Sequence, residues 1–422
     1  MSRGPLPGFR DFYPEQLAER AYITGVWRDV ARRFAFVEYD GPPLETLELY
    51  TRKSGDEIVG QLYNFTDKGD REVALRPEMT PTLARMVGAR ANALRKPVRW
   101  FSIPQLFRYE RQQKGRLREH FQLNVDIIGE PGIAADAELL AVAIEIMRSF
   151  GFTPGDVRAR ISDRRLLNAL LASAGVTSVQ LPAVYAAIDK LGREPLDVTR
   201  EKFRKATASD DVAARLEETV LTKDFGKLRS APGLTPEVHL ELERLAEYLK
   251  YLGALGVSEW VDFDLSIVRG LAYYTGTVFE LFDASGEFRA ICGGGRYDDL
   301  LDAIGGVAMP ALGFGMGDVV IGELLRARGL MPRTASGPDY WVATDSDALL
   351  PRVMEVASRI RARGRSAEYS LRSQTLSRQL KTASSAGARE AIIVSTGDVL
   401  TVKNLADGSE KKLGLDDLTA SF

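Results

Sequence analysis

Apolar residues at helical spacing open this chain of 422 residues: Leu17, Ala21, Ile23, Val26, Trp27 and Val30 recur behind Pro14 and predict a helix over 14–34. The period then shortens. Between 97 and 129 two apolar runs bracket a charged, glycine-containing stretch, RQQKGR at 111–116. This reads as a strand, a long β-loop and a second strand ending in FQLNVDIIG at 121–129. Helical spacing returns over 134–150 and dominates from about Asp163 to Val257, which predicts a helical insertion over about 163–257. Strand signals resume at 260–282: DFDLSIV at 262–268, a tight glycine turn with Arg269 at the bend, and a second strand through Val278 and Phe279. GGGRYDDL at 293–300 and ALGFGMGDVV at 311–320 follow. The turn-rich stretch GLMPRTASGPD begins at 329 and marks a linker over 329–338. Beyond it YWVAT, a helix near 348–364, SAEYS, a helix near 373–386 and AIIVST alternate. That alternation predicts a small, mostly parallel α/β domain over 339–422, after a larger domain over 1–328.

Composition narrows the chemistry. With 56 Lys and Arg against 58 Asp and Glu, no global field steers the chain to nucleic acid or membrane. The charge is nevertheless patterned. Eight cations face two acids from Arg95 to Glu119, and nine face two from Arg352 to Arg389. Two basic stripes suit a polyanion touching separated surfaces, and equally suit two solvated helix faces. Cys292 is the one cysteine, which excludes disulfides within the chain and thiolate zinc sites. His120 and His239 are the only histidines, too few for a multi-histidine metal site and a poor basis for a Ser-His-Asp triad. The chain shows neither a bilayer-spanning apolar stretch nor a signal-peptide apolar region at MSRGPLPGFRDFYPEQ, so a cytoplasmic protein is expected. The chemistry must rest on Arg, Glu, Asp, Gln, Tyr and Gly.

Several positions fit that inventory. Arg108 and Glu110 stand two apart on one strand face, where a guanidinium can grip a phosphate and a carboxylate can accept from an amino group such as that of adenine. An edge hairpin could carry the same pair as a plain ion pair. Pro77 fixes the backbone before Glu78, and Thr80 adds a hydroxyl; Glu78 also suits the first turn of a helix. GGGR at 293–296 allows close backbone approach, although a bare glycine run more often marks a turn. GFGMG at 313–317 lacks the spacing of a dinucleotide fingerprint.

RGLAYYTGTVFE at 269–280 resembles the histidine-specific signature of the histidyl-tRNA synthetase family, and FRYERQQKGRLREHFQLNVDIIG at 107–129 resembles motif 2 of class II aminoacyl-tRNA synthetases. LRPEMTPTLAR at 75–85 and PGFRDFYPEQ at 7–16 also resemble family segments, and SLRSQTLSRQLKTASSAGAREAIIV at 370–394 resembles the anticodon-binding domain. The resemblance implies an α+β fold: a class II antiparallel sheet flanked by helices, a helical insertion, and a C-terminal α/β anticodon-binding domain. It implies that Arg108 holds the α-phosphate of ATP, Glu110 contacts adenine, and Arg269 stabilises the phosphate charge from the side opposite Arg108. Arg116, Gly315 and either His120 or Phe121 complete the implied ATP site, with one of those two rings stacking on adenine. Glu78 and Thr80 would take the histidine ammonium, Gln122 its polar end, and Asp126, Tyr273 and Tyr274 its imidazole. Arg111, Gln112, Gln113 and Lys114 would reach the tRNA acceptor end, and Gly294, Gly295, Arg296 and Tyr297 would pack along the adenylate. ATP with Mg2+ as co-substrate, histidine and tRNA(His) as partners, and a homodimer follow as expectations; no metal ligand is assigned.

Departures from the family pattern are as informative. Motif 3 of class II enzymes ends in an Arg that grips the γ-phosphate, where this chain has Val320, with Val319 at the preceding acid. Arg326 and Arg116 are candidate substitutes. Ala272 replaces an acidic residue, Asp126 a Glu, and the usual Phe-His-Gln order becomes His120-Phe121-Gln122. Two other readings are a silent histidine sensor, like the synthetase-like subunit of ATP phosphoribosyltransferase, and an RNA-binding module that kept the fold. The first generally lacks a C-terminal domain such as 338–422 and tends to lose the Arg kept here as Arg269. Against the second stand the intact amino-acid and α-phosphate positions.

Overall fold

The computed structural model describes residues 4–54, 59–109, 115, 117–192, 194–268, 274–332 and 337–420. The chain divides into two compact units, Met1–Phe12 with Glu19–Pro332, and Tyr13–Ala18 with Arg333–Phe422.

A nine-stranded sheet organises the first unit. Its strands are β1 (Val37–Glu38), β2 (Val98–Ser102), β3 (Gln105–Phe107), β4 (Glu119–Ile128), β5 (Val157–Asp163), β6 (Val261–Phe263), β7 (Thr277–Asp283), β8 (Cys292–Arg296) and β9 (Ala311–Gly317). They lie in the order β1-β2-β4-β9-β8-β7-β5-β6, with β3 pairing β4. From β2 to β5 every neighbour is antiparallel, and only the outer pairs β1–β2 and β5–β6 are parallel. The alternating run over 119–128 explains why β4 sits so centrally. Leu123, Val125 and Ile127 enter one large core, while Gln122, Asn124 and Asp126 point to the other face.

The large core is roofed by α1 (Pro14–Arg33) and α3 (Ile133–Ser149), with α2 (Thr80–Gly88) on the other side of the sheet. Trp27 and Val30 of α1 and Leu139, Leu140 and Ile144 of α3 are fully or nearly fully buried there. From Arg164 to Ala254 the chain is helical, as its periodicity predicts. Side-chain caps fix the starts: Asp163 accepts from the backbone N–H of Arg165 and Leu166 at 2.7 and 3.1 Å, and Ser209 and Thr235 accept from Val212 and Val238. On the opposite face a smaller core joins α2 to α4 (Leu300–Gly305). The two helices cross closely because both carry glycine at the contact: a Cβ on Gly88 would sit 2.5 Å from the Gly305 carbonyl oxygen.

Two elements differ from the sequence reading. The strands on either side of Arg269 do not form a hairpin, because β5 lies between β6 and β7, pairing in parallel with one and antiparallel with the other. The strand there is also short, ending at Phe263, and a turn follows. The glycine run at 293–295 is not a turn. It is the interior of β8, buried between β7 and β9.

The second unit contains a five-stranded sheet of β10 (Tyr340–Thr344), β11 (Ala367–Tyr369), β12 (Glu390–Val394), β13 (Val399–Asn404) and β14 (Glu410–Gly414), ordered β11-β10-β12-β13-β14. The first three are parallel, as the alternating pattern implies, and β13 and β14 extend the sheet with antiparallel pairs.

Candidate active site

A cavity of about 280 Å3 opens on the α2 face of the large sheet, floored by β4, β9 and β8. Register makes the floor. Gly293 pairs with Gly315 and Gly295 with Gly313 between β8 and β9, and Gly313, Gly315 and Gly317 lie opposite Asp126, Asn124 and Gln122 on β4. The glycine row leaves space that the polar row occupies. A Cβ on Gly313 would lie 2.0 Å from Asp126 Oδ1, and one on Gly315 2.8 Å from Gln122 Nε2. The cavity runs as a trough along this face past Gln122 and Gly315 to His120, Gly317, Val319 and Val320, and Asp126 and Gly313 continue the same face of the sheet beyond its lining.

Arg108 lies on the cavity wall just after β3, its Nε donating to the Pro77 carbonyl at 2.9 Å. That contact ties motif-like strand and Glu78 segment together. Glu78 comes two residues before α2 begins at Thr80, and its carboxyl is pushed up by burial, with Arg108 opposing the shift. At the inner end Asp126 is buried and accepts a hydrogen bond from the Tyr297 hydroxyl. Burial raises the Asp126 carboxyl to about 7 despite that bond. Tyr274 is buried against Gly295 on the same face. Arg108, His120, Gln122 and Gly315 thus line one cavity, with Glu78, Asp126, Tyr274, Gly295 and Tyr297 on the same side of the sheet. Thr80 is the first residue of α2 and half-buried.

Four expected contributors point elsewhere. Phe121 follows the opposite phase of β4 from His120, meeting Phe12 edge-on and lying under the Arg20 guanidinium at 4.3 Å. The ring on the cavity is therefore that of His120. Gly294 is likewise out of phase, facing Phe314 in the covered core. Arg296 is fully buried on that side, paired with Asp136 of α3 and with Asp298 at 3.2 Å, and donates to the carbonyls of Glu130 and Gly132. Arg326 pairs with Glu19 at 2.6 Å in the last turn of α5 (Asp318–Ala327), so it does not replace a cation at Val320. Glu110, Arg111, Gln112, Gln113, Lys114, Arg116, Arg269 and Tyr273 lie outside the described residues.

The sequence reading also missed contributors. Gly293 and Gly317 line the cavity as much as Gly315 does; the even-numbered alternation of β4 and its pairing partner was the signal that could have found them. Arg10 was missed as well. Its Nε donates to Glu119 at 2.6 Å and its Nη1 to Asp318 at 2.9 Å, while Asp318 also accepts from the Phe121 N–H at 3.0 Å. Burial pushes the Asp318 carboxyl up, against the pull of Arg10. The first turn of α5 therefore commits its carboxylate to Arg10 and shows Val319 and Val320 to the cavity. Among the described residues, no group of three or more His, Cys, Asp or Glu side chains could hold a metal ion, and no helix is long and apolar enough to cross a membrane.

Residues 8–317 match a family model described as histidyl-tRNA synthetase. The histidine–tRNA ligase of Opitutus terrae is 45% identical over 393 residues, 92% of this chain and 90% of that protein. The chloroplastic/mitochondrial histidine–tRNA ligase of Arabidopsis thaliana is 39% identical over 98% of this chain and 85% of its own. Among solved structures, histidyl-tRNA synthetase from a Nostoc species superposes with a TM-score of 0.86 at 23% identity, covering 100% of this chain and 99% of its own, a likeness of fold.

Proposed function

The chain belongs to the histidyl-tRNA synthetase family, and from that premise we propose that it activates histidine with ATP and transfers it to tRNA(His). The observation that carries the reading is the open face of the sheet: Asp126, bonded to Tyr297, shares one face of β4 with Gln122, which lines the cavity together with Arg108 and His120. Histidine would lie with its imidazole toward Asp126, whose carboxylate pairs with a ring N–H, and its ammonium toward Glu78 and Thr80. An apolar analogue would offer no ring N–H to the buried Asp126 carboxylate, which is a strong basis for rejection.

Arg108 then holds the α-phosphate, with Arg269 assigned the second side by resemblance alone. Attack of the histidine carboxylate on the α-phosphorus forms the mixed anhydride and expels pyrophosphate. The carboxylate is already ionised, so no protein base is needed, and guanidinium groups stabilise the charge that builds on the phosphoryl oxygens. In the second step the terminal ribose hydroxyl of the tRNA attacks the anhydride carbonyl and AMP leaves. Mg2+ enters as the counter-ion of the triphosphate substrate. The imidazole, purine and ribose take positions relative to His120, Gly315 and Tyr274, and the 111–114 segment meets the acceptor end. A cytoplasmic homodimer with an anticodon-binding second unit is part of the same reading. Histidine-dependent ATP–pyrophosphate exchange by the purified protein tests it, with the other amino acids as controls. No exchange alongside tight histidine binding would sink the synthetase reading and favour a histidine sensor.

A further inference from the structure

At the far end of the trough the family's γ-phosphate cation is replaced by an apolar wall. Val319 and Val320 line the cavity there beside Gly115, and Arg326 of the same helix is turned away to Glu19. Among the described lining residues there is no carboxylate and Arg108 is the one Lys or Arg, so the space suits an anion. The wall opposite the valines is the segment that enters β8. Ala290 and Ile291 of that segment line the same cavity as Val319 and Val320. The side chains agree with this placement. The point where a side chain on Gly115 would begin lies 3.5 Å from Val320 Cγ2 and 3.8 Å from Arg289 Cδ. Arg289 is exposed, and the next residue, Ala290, lines the cavity.

We propose that Arg289 is the residue that binds the terminal phosphates of ATP, and the departing pyrophosphate, supplying from the β7–β8 connection the cation that the first turn of α5 lacks. The assignment rests on the synthetase reading above. Arg289 Cδ lies near the Gly115 edge of the cavity, and a planar guanidinium carried from there can take two phosphate oxygens at once. The N-terminus of α5, the positive end of that helix's dipole, opens on the same end of the trough and adds to the field an anion meets. Arg108 and Arg289 would then divide the triphosphate, one on the α-phosphate and one on its tail.

ATP–pyrophosphate exchange by Arg289→Ala, Arg289→Lys and wild type tests this, alongside AMP binding measured by calorimetry. For Arg289→Ala the KM for ATP and for pyrophosphate should each rise about 10- to 100-fold, the span of a lost charged hydrogen bond. The KM for histidine, the affinity for AMP and the melting temperature should stay at wild-type values, and Arg289→Lys should fall between. Adding Val320→Arg to Arg289→Ala should recover part of the lost ATP affinity. Unchanged ATP and pyrophosphate constants would overturn the assignment, and so would a parallel loss of AMP or histidine binding, which would mean a structural or adenine-contacting role. Absence of exchange in the wild-type control would instead refute the synthetase reading itself.

Discussion

The two faces of the nine-stranded sheet are made from the same strands by opposite means. On the covered face, Leu123, Val125, Ile127, Phe279, Leu281, Phe314 and Met316 fill the space beneath α1, α3 and α5. On the open face the same strands present Gly293, Gly295, Gly313, Gly315 and Gly317 against Gln122, Asn124 and Asp126. One face excludes water with bulk; the other creates room by omitting side chains. A strand alternates with period two, so a single residue run can serve both purposes without compromise. The comparison also separates the ionic groups. The covered face contains a fully buried ion pair that holds layers together, whereas charges on the open face stand where a ligand would meet them.

The sharpest way to break the covered face is Arg296→Met. It leaves Asp136 buried without its guanidinium, although Thr277 still donates to it. Removing one partner of a buried pair costs about 3–5 kcal/mol, which urea denaturation would read as a large fall in midpoint. The double change Arg296→Met with Asp136→Leu should recover most of that loss; no recovery would show that Arg296 acts through its carbonyl contacts instead. On the open face, Arg108→Ala should lower the exchange rate about 10²- to 10³-fold with little change in melting. A collapse in stability of equal size would place Arg108 on the structural side of the comparison.

Asp126 belongs to both accounts, and pH separates them. Its carboxyl rises from an ordinary value near 3.8 to about 7 in the folded protein, so the folded state holds a proton that the unfolded chain releases between those values. Folding stability contributed by this group is therefore present at low pH and is lost as pH climbs toward 7. Asp126→Asn mimics the protonated form and can still accept from Tyr297. Its stability relative to wild type should improve on going from pH 5 to pH 8 by about 3 kcal/mol, while histidine binding weakens. A stability difference flat with pH would contradict the assignment. The smallest effect is expected for Gly315→Ala. Its Cβ meets the Gln122 amide, the end of a flexible chain, so a severalfold rise in KM for histidine with a stability cost of about 1 kcal/mol is expected. An unchanged KM would show that the substrate does not touch this part of the floor.

How much of this could be read from the chain depends on whether the information was local. α1, α3 and β4 follow from periodicity because each buries one clear face. The glycine strand β8 has no apolar alternation to read, and only its neighbours β7 and β9 make it a strand. The supposed hairpin failed for a related reason. DFDLSIV and TVFE are consecutive strand-like strings, but β5, contributed from a hundred residues upstream, pairs with both of them. For the site, Arg108, Gln122 and Gly315 were legible from motif strings, and the choice between His120 and Phe121 was not. Adjacent residues on a strand face opposite ways, so it needed the phase of β4. Arg10 lies in a segment that resembles the family, but its partners Glu119 and Asp318 are more than a hundred residues away, so its contact could not be read from the string alone.

The run of three glycines in β8 leaves that strand with an alignment problem. Sliding it by one residue keeps glycine at two of the three positions against β9, so side-chain fit in the trough hardly distinguishes the right placement from the wrong one. Arg296 does. A one-residue slip would swing its guanidinium out of the covered layer and strand Asp136 there, a penalty of several kcal/mol. The choice of alignment is thus made on the side of the sheet that no substrate touches. It follows that β8 should lock only after α3 has delivered Asp136. Pulse-labelled hydrogen exchange should show α3 amides protected before those of Gly293, Gly294 and Gly295, and earlier protection of the glycines would mean that the strand finds its place by backbone pairing alone.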